Sequence, residues 1–424
     1  MKVFLVAVPL FDPMMAVAAY RMCDRSAENP LDARSDFRGM REVMLSPGLD
    51  LVQMIGLEAF AGDKPLFVDV NGLQLLSGMP TRVDINLDQM VCVLPSKTPV
   101  AEDVSEKCAE LHDKGYHFAM DGYPGEGTDN PLLQYLDYII LDCKDPQFSI
   151  QLKTMNREMR RMRIIISNVP DMDAFHMLSS RNSALFTGDF FKQPITEGLR
   201  DLSPLKINAL QLLKRVSEED FELSEITRII ARDPALTLSL LRFINSGAVG
   251  LSRQVDSIEN AVAILGQLEV RRWATVAISV SLAEDRPTEI TRVSMIRAKF
   301  AENLAPAFDL FDVRYSLFLT GLFSLLDIIV QKPMSEAISD LAVDDIVKDA
   351  LVEKKGTLYK VMELIDAYEH ADWDRASIIM IRNNTNINVV SAAFIDALVW
   401  YNKLLVAINR EANSAEPEPA EEEA

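Results

Sequence analysis

The chain is 424 residues long, 49% hydrophobic and 25% charged, with a net charge of −20 at pH 7. That length holds two or three domains with ample cores, and the balance is that of a folded globular protein. The negative charge excludes broad attraction to nucleic acid or an anionic membrane, and the longest unbroken apolar runs, such as Lys2 to Pro9, are too short to cross a bilayer.

In chain order, Val3–Val8 reads as a first strand and not a signal peptide: Asp12 follows closely and no small-residue cleavage site is present. A cytoplasmic protein is expected. Further short apolar runs predict strands at Leu66–Val70, Met90–Leu94, Tyr116–Asp121, Tyr138–Asp142, Arg163–Ser167 and Leu185–Phe186, with amphipathic stretches such as Val104 to His112 between them. Repeated strand–helix units imply a mostly parallel sheet, open or closed into a barrel. Several strands end on a polar residue: Asp69, Asp121, Asp142 and Ser167. Chemistry is built on the C-terminal rim of such barrels, although acids there also serve as helix caps and turn formers. The four cysteines, Cys23, Cys92, Cys108 and Cys143, lack CxxC spacing, so they are expected to be reduced and buried and to form no zinc site.

Gln193-Pro-Ile-Thr-Glu-Gly198 reads as a linker, and from about Leu199 the pattern is helical only. Ser224 is placed to cap a helix carrying Ile226, Ile229 and Ile230. Asp233 caps the next, with Pro234 at its first position and Leu236, Leu240, Phe243 and Ile244 on one face. Asn245-Ser-Gly247 ends it, and Asp256 with Glu259 have the spacing of a capping box for a helix that buries Ile258, Ala261, Val262 and Leu265. Trp273, Val276, Val280 and Leu282 continue that face; Leu317 to Leu326 marks a buried helix, and Val389 to Ile408 the last one. Glu411 to Ala424 has no apolar periodicity, which predicts a disordered acidic tail.

The string Asp233-Pro-Ala-Leu-Thr-Leu-Ser-Leu-Leu-Arg-Phe-Ile-Asn-Ser246, followed by Ser257-Ile-Glu-Asn-Ala-Val-Ala-Ile-Leu-Gly266, resembles the HDOD domain, an all-helical signalling module related to HD phosphohydrolases. Those enzymes need a His-Asp pair to hold metal. The matching positions here are Ser324 and Leu325, and the only histidine after residue 200 is His370, which reads as a surface or helix-end residue. No P-loop, GxGxxG or nucleophile constellation is present.

The first half resembles an EAL domain, the barrel that hydrolyses cyclic di-GMP with two metal ions. The resemblance rests on Tyr20-Arg-Met-Cys-Asp-Arg25, Leu66-Phe-Val-Asp-Val-Asn71, Gly115-Tyr-His-Phe-Ala-Met-Asp-Gly-Tyr123, Tyr138-Ile-Ile-Leu-Asp142 and Leu185-Phe-Thr-Gly-Asp-Phe-Phe191. It implies an α/β TIM-like (EAL-type) barrel over residues 1–196, an all-α HDOD domain over 199–410 and the tail 411–424. The family's metal-binding glutamate falls on Arg21, an asparagine ligand on Asp69, and the next glutamate on Leu94 or the neighbouring Pro95. Asp121 is retained with Gly122 as its partner, the catalytic lysine falls on Ile140, and the aspartate two residues on survives as Asp142. The later glutamates fall on Ser167 and Pro170, and a glutamine on Thr187. Two-metal hydrolysis needs more carboxylates than this, so neither enzyme activity, bound metal nor a cofactor is expected.

Arg25 matches an arginine that reaches a ligand phosphate in the family, while Arg21 is placed to pair internally with Asp69 or Asp121. The resemblance thus implies a bacterial pseudoenzyme regulator working through unidentified protein partners, a second copy of the chain among the candidates, in cyclic di-GMP-linked control of motility or biofilm. A cyclic di-GMP receptor using Arg25 and Arg21 is the first alternative. A weak phosphodiesterase with metal at Asp69, Asp121 and Asp142 is the second.

Overall fold

The computed structural model describes residues 5–24, 52–53, 56–78, 80, 87–96, 102–122, 130–158, 162–179, 185–193, 204–217, 222–232, 234–245, 255, 257–283, 288–339, 341 and 343–409. Arg25, the linker around residues 194–198, Asp233, Asp256 and the acidic tail lie outside them.

Strands β1 (Leu5–Phe11), β2 (Val17–Asp24), β3 (Leu66–Asp69), β4 (Met90–Pro95), β5 (His117–Asp121), β6 (Tyr138–Asp142), β7 (Arg163–Val169) and β8 (Leu185–Gly188) close into a barrel in sequence order. Pairs from β2–β3 to β7–β8 are parallel, whereas β1 runs antiparallel to both β2 and β8. The strands read as continuous apolar runs because both faces are covered. Leu10, Ala19, Phe67, Val91, Val93, Ala119, Ile140 and Ile165 fill the lumen, while the alternate residues pack outward against helices. Those helices are α1 (Glu58–Ala61), α2 (Gly72–Leu76), α3 (Glu102–Asp113), α4 (Phe148–Glu158) and α5 (Met172–Ser179).

Strand β2 has no counterpart among the expected strands. Its lumen positions are Ala19, Arg21 and Cys23, so the inward face shows no run of large apolar residues to read. The hairpin leading into it is held by Asp12, whose carboxylate accepts from Met14 N at 2.8 Å and Ala16 N at 2.9 Å. None of the four cysteines is in a disulfide; Cys92 and Cys108 are buried and Cys23 and Cys143 half-buried. Burial pushes the Cys92 and Cys108 thiols up to about 12, which leaves them unreactive.

The second half contains α6 (Pro204–Ser217), α7 (Leu223–Arg232), α8 (Pro234–Asn245), α9 (Ile258–Leu282, broken at Gly266, whose φ 75° and ψ 167° are not helical), α10 (Thr288–Leu304), α11 (Arg314–Leu322), α12 (Leu326–Val330), α13 (Met334–Ser339), α14 (Asp345–Leu351), α15 (Gly356–Glu369), α16 (Trp373–Arg382) and α17 (Ile387–Asn409). Helix α7 starts one residue before Ser224, whose hydroxyl donates to Glu222 instead of capping. The cap of α9 is Ser257, which accepts from Asn260 N at 3.2 Å. Asn245 acts as a clip: its Nδ2 donates to Leu241 O at 2.8 Å and Val255 O at 2.7 Å, and its Oδ1 accepts from Val255 N at 2.7 Å.

The helix expected over Leu317 to Leu326 is two helices, broken by a 3-10 turn at Phe323–Leu325. The stretch Phe311–Val330 is long and apolar enough to cross a membrane, and 78% of its most apolar window is buried inside the helical half. Gly321 sets its packing, because a Cβ there would lie 2.5 Å from Arg297 O on α10. That close approach brings Ser324 against the Arg297 guanidinium.

Candidate functional site at the barrel mouth

Alternation along each strand decides which residues face the mouth. Lumen residues Ala19, Phe67, Val93, Ala119, Ile140, Ile165 and Leu185 place Arg21, Asp69, Pro95, Asp121, Asp142, Ser167 and Thr187 two residues on, at the rim. The β4 position facing the mouth is therefore Pro95; Leu94 is fully buried in the outer layer. Ile140 sits one turn of side chains deeper, in the apolar lumen.

Arg21 occupies the centre of this ring. Its Nη2 lies 2.9 Å from Asp69 Oδ1 and 2.6 Å from Asp121 Oδ2, and its Nε donates to Asp69 at 3.2 Å. Arg21 and Asp69 side chains are only 15% and 12% exposed, while Asp121 is 42% exposed. Burial works against the Arg21 charge, but Asp69 and Asp121 more than offset it and hold its pKa above the usual value. One guanidinium thus engages the two carboxylates that a cation would otherwise use.

The remaining rim positions complete the picture. Asp142 is exposed, and its Oδ1 accepts from Lys144 N at 2.8 Å and Asn168 Nδ2 at 2.9 Å. Ser167 Oγ donates to Leu141 O at 3.3 Å, and Pro170 is exposed just after β7. Gly122, next to Asp121, has φ 98°, and a Cβ there would meet Ser96 Oγ at 2.6 Å. Thr187 Oγ1 is buried with no hydrogen-bond partner among the described residues. Among those residues no three His, Cys, Asp or Glu side chains converge as a metal cluster.

The helical half forms one wall of this site. A cavity of about 330 Å³ is lined by Arg21, Asp121, Asp142 and Thr187 from the barrel, and by Glu289, Arg292, Glu369 and His370 from α10 and the end of α15. Behind it, Tyr20, the outward neighbour of Arg21 on β2, donates to Glu289 Oε2 at 2.6 Å. Arg292 binds Glu289 at 2.8 Å and Phe60 O at 3.2 Å, with its guanidinium 4.5 Å from the Tyr20 ring centroid. Tyr368 accepts from Leu5 N at 3.3 Å. Lys192 reaches Glu369 at 3.5 Å, and Arg297 grips the same carboxylate through two contacts of 2.7 Å. Burial opposes the Glu369 charge, yet Arg297 and Lys192 bring its carboxyl down to about 2.

Ser324 and Leu325, the positions matched to the HD phosphohydrolase pair, lie where α11 gives way to α12. Ser324 accepts from Arg297 Nη1 at 3.0 Å and donates to Gly321 O at 2.7 Å, and Leu325 is buried core. His370 does end a helix, as its sequence context indicates, and it also bridges the two halves, with Nε2 2.9 Å from Asp189 Oδ2 and Nδ1 2.7 Å from Asp366 O. No local pattern announces a contact across 181 residues.

The Asp189 hydrogen bond raises the His370 pKa, with burial pulling the other way. Its stabilising contribution is therefore complete below the unfolded value of about 6.5 and lost as pH rises through the folded value. The pair is more than one-third exposed, so wild type and His370→Gln should differ by under about 1 kcal/mol near pH 5.5. Urea unfolding across pH should show that gap closing as pH rises above the unfolded value and through the raised folded one. A gap that widens with pH would contradict the bridge.

Comparison with known proteins adds the following. Residues 202–348 match the HDOD domain family. The uncharacterised protein YuxH of Bacillus subtilis (strain 168) is 27% identical over 424 residues, spanning 96% of this chain and 100% of that one. The cyclic di-GMP phosphodiesterase CdgJ of Vibrio cholerae serotype O1 is 26% identical over 316 residues, spanning 74% of this chain and 73% of its own. Similar solved structures include BlrP1 of Klebsiella pneumoniae in complex with calcium and cyclic di-GMP, 14% identical with a TM-score of 0.37, over 46% of this chain and 56% of that one. An EAL domain protein of Listeria monocytogenes EGD-e is 15% identical with a TM-score of 0.35, over 45% of this chain and 87% of that one.

Proposed function

We infer that this chain, in which an EAL-like barrel precedes the HDOD domain of residues 202–348, is a non-catalytic bacterial regulator in cyclic di-GMP-linked signalling. It acts through contacts with other proteins, in the cytoplasm. The observation that carries this reading is Arg21, whose guanidinium sits between Asp69 and Asp121 at the barrel mouth. A fixed cation there repels the divalent ions that in-line phosphodiester hydrolysis requires, and it engages two of the three surviving carboxylates. The relationship to CdgJ supports the cyclic di-GMP link.

Binding of the nucleotide without turnover is disfavoured by charge. The cavity presents Asp121, Asp142, Asp189, Glu289 and Glu369 against Arg21, Lys192, Arg292 and His370, and each of those cations already faces a carboxylate. A ligand with two phosphates finds no cation among these lining residues that is not already facing a carboxylate.

The test is isothermal titration of the full chain with cyclic di-GMP, with and without Mg²⁺ and Mn²⁺, the mixture being checked for hydrolysis products. Neither heat nor product is expected. Binding without product would make the chain a receptor, with Arg25 the first residue to replace. Product would overturn the non-catalytic reading.

A further inference from the structure

We propose that the helical half holds a second small-molecule site, apart from the barrel mouth, that takes an apolar α-amino acid as a zwitterion. A cavity of about 230 Å³ lies against α14 and α15, where Met334, Leu351, Met362 and Ile365 supply apolar wall. This is below the roughly 300–1,000 Å³ of sites for drug-sized ligands, so its occupant is small.

The charges on its rim select the ligand. Arg375 is engaged by Asp366 at 2.7 Å, and Arg297 by Glu369 and Ser324. Two further lining charges of opposite sign, Lys354 and Glu363, form no ion pair among the described residues, although they face the same cavity. Lys354 lines the cavity from the turn between α14 and α15, where its φ is 50°. A simple anion entering here is opposed by Glu363, and a simple cation by Lys354. A short apolar body with one carboxylate and one ammonium answers both charges and buries its side chain on the methionine and leucine wall.

The site also shares a structural member with the barrel mouth. Arg297 lines this cavity, and its partner Glu369 lines the other. One ion pair thus separates the two.

Isothermal titration of the full chain with L-leucine and L-methionine tests the proposal. Saturable binding is expected for at least one of them. Lys354→Ala and Glu363→Gln should each weaken it about tenfold or more, with unfolding midpoints unchanged. For leucine, 4-methylpentanoate, which lacks the ammonium, and isoamylamine, which lacks the carboxylate, should each bind at least about tenfold more weakly. No saturable heat with either amino acid up to the order of 10 mM would overturn the site. So would binding that both substitutions leave unchanged, or equal binding of inorganic phosphate, which would mark a plain anion site.

Discussion

Arg21→Met is expected to destabilise the protein by roughly 3 kcal/mol at pH 7, read as a lower urea midpoint in unfolding followed by circular dichroism. Removing one partner of a buried ion pair typically costs about 3–5 kcal/mol, because the other charge is left desolvated and unpaired. Here Asp69 is 12% exposed and loses both of its guanidinium contacts, whereas Asp121 is 42% exposed and is partly rehydrated, which places the loss at the low end. Arg21→Glu should cost more, since it adds a carboxylate beside Asp69 and Asp121 and removes the cation between them. The same variant should regain stability on addition of Mn²⁺, and wild type should not, because four carboxylates at positions 21, 69, 121 and 142 then surround the mouth. An Arg21→Met protein as stable as wild type would mean that Arg21 is not the buried partner of Asp69 and Asp121, and the non-catalytic reading would lose its support.

How much of this was legible in the sequence follows from which forces leave a local trace. Seven of the barrel strands could be read because a strand buried on both faces is a short apolar run, as in Met90–Pro95 and Tyr138–Asp142. Strand β2 could not, since its lumen face alternates alanine, arginine and cysteine, and its pairing with β1 is held by a turn around Asp12. Side-chain alternation places Asp69, Asp121 and Asp142 on one rim, so the Arg21 pairing follows once the strands are known. It also decides between Leu94 and Pro95, which sequence alone leaves open. The wall contributed by the helical half leaves no such trace. Glu289 and Arg292 sit on α10 as an ordinary i, i+3 pair, and only the fold reveals that Tyr20 lies 269 positions away against them.

That buried trio makes the second large prediction. Glu289 is 1% exposed, with Arg292 and the Tyr20 hydroxyl as its charge and hydrogen-bond partners. Burial above all pushes the Tyr20 phenol well up, so it remains a donor across the ordinary pH range and cannot neutralise the carboxylate. Arg292→Met therefore strands a buried charge, removes the contact to Phe60 O, and takes away a cation stacked on Tyr20. A loss of about 3 kcal/mol or more is expected, concentrated at the junction of the two halves. The three tryptophans, Trp273, Trp373 and Trp400, all lie in the helical half, so their fluorescence reports that half alone. Circular dichroism reports both. In wild type the two probes should trace one coincident urea transition, because the halves stabilise each other through this interface. In Arg292→Met they should separate, the half with the lower intrinsic stability unfolding first. Coincident transitions at the wild-type midpoint would show that the halves are held by other contacts, such as His370 to Asp189 and Tyr368 to Leu5, and that the trio is only a local feature of α10.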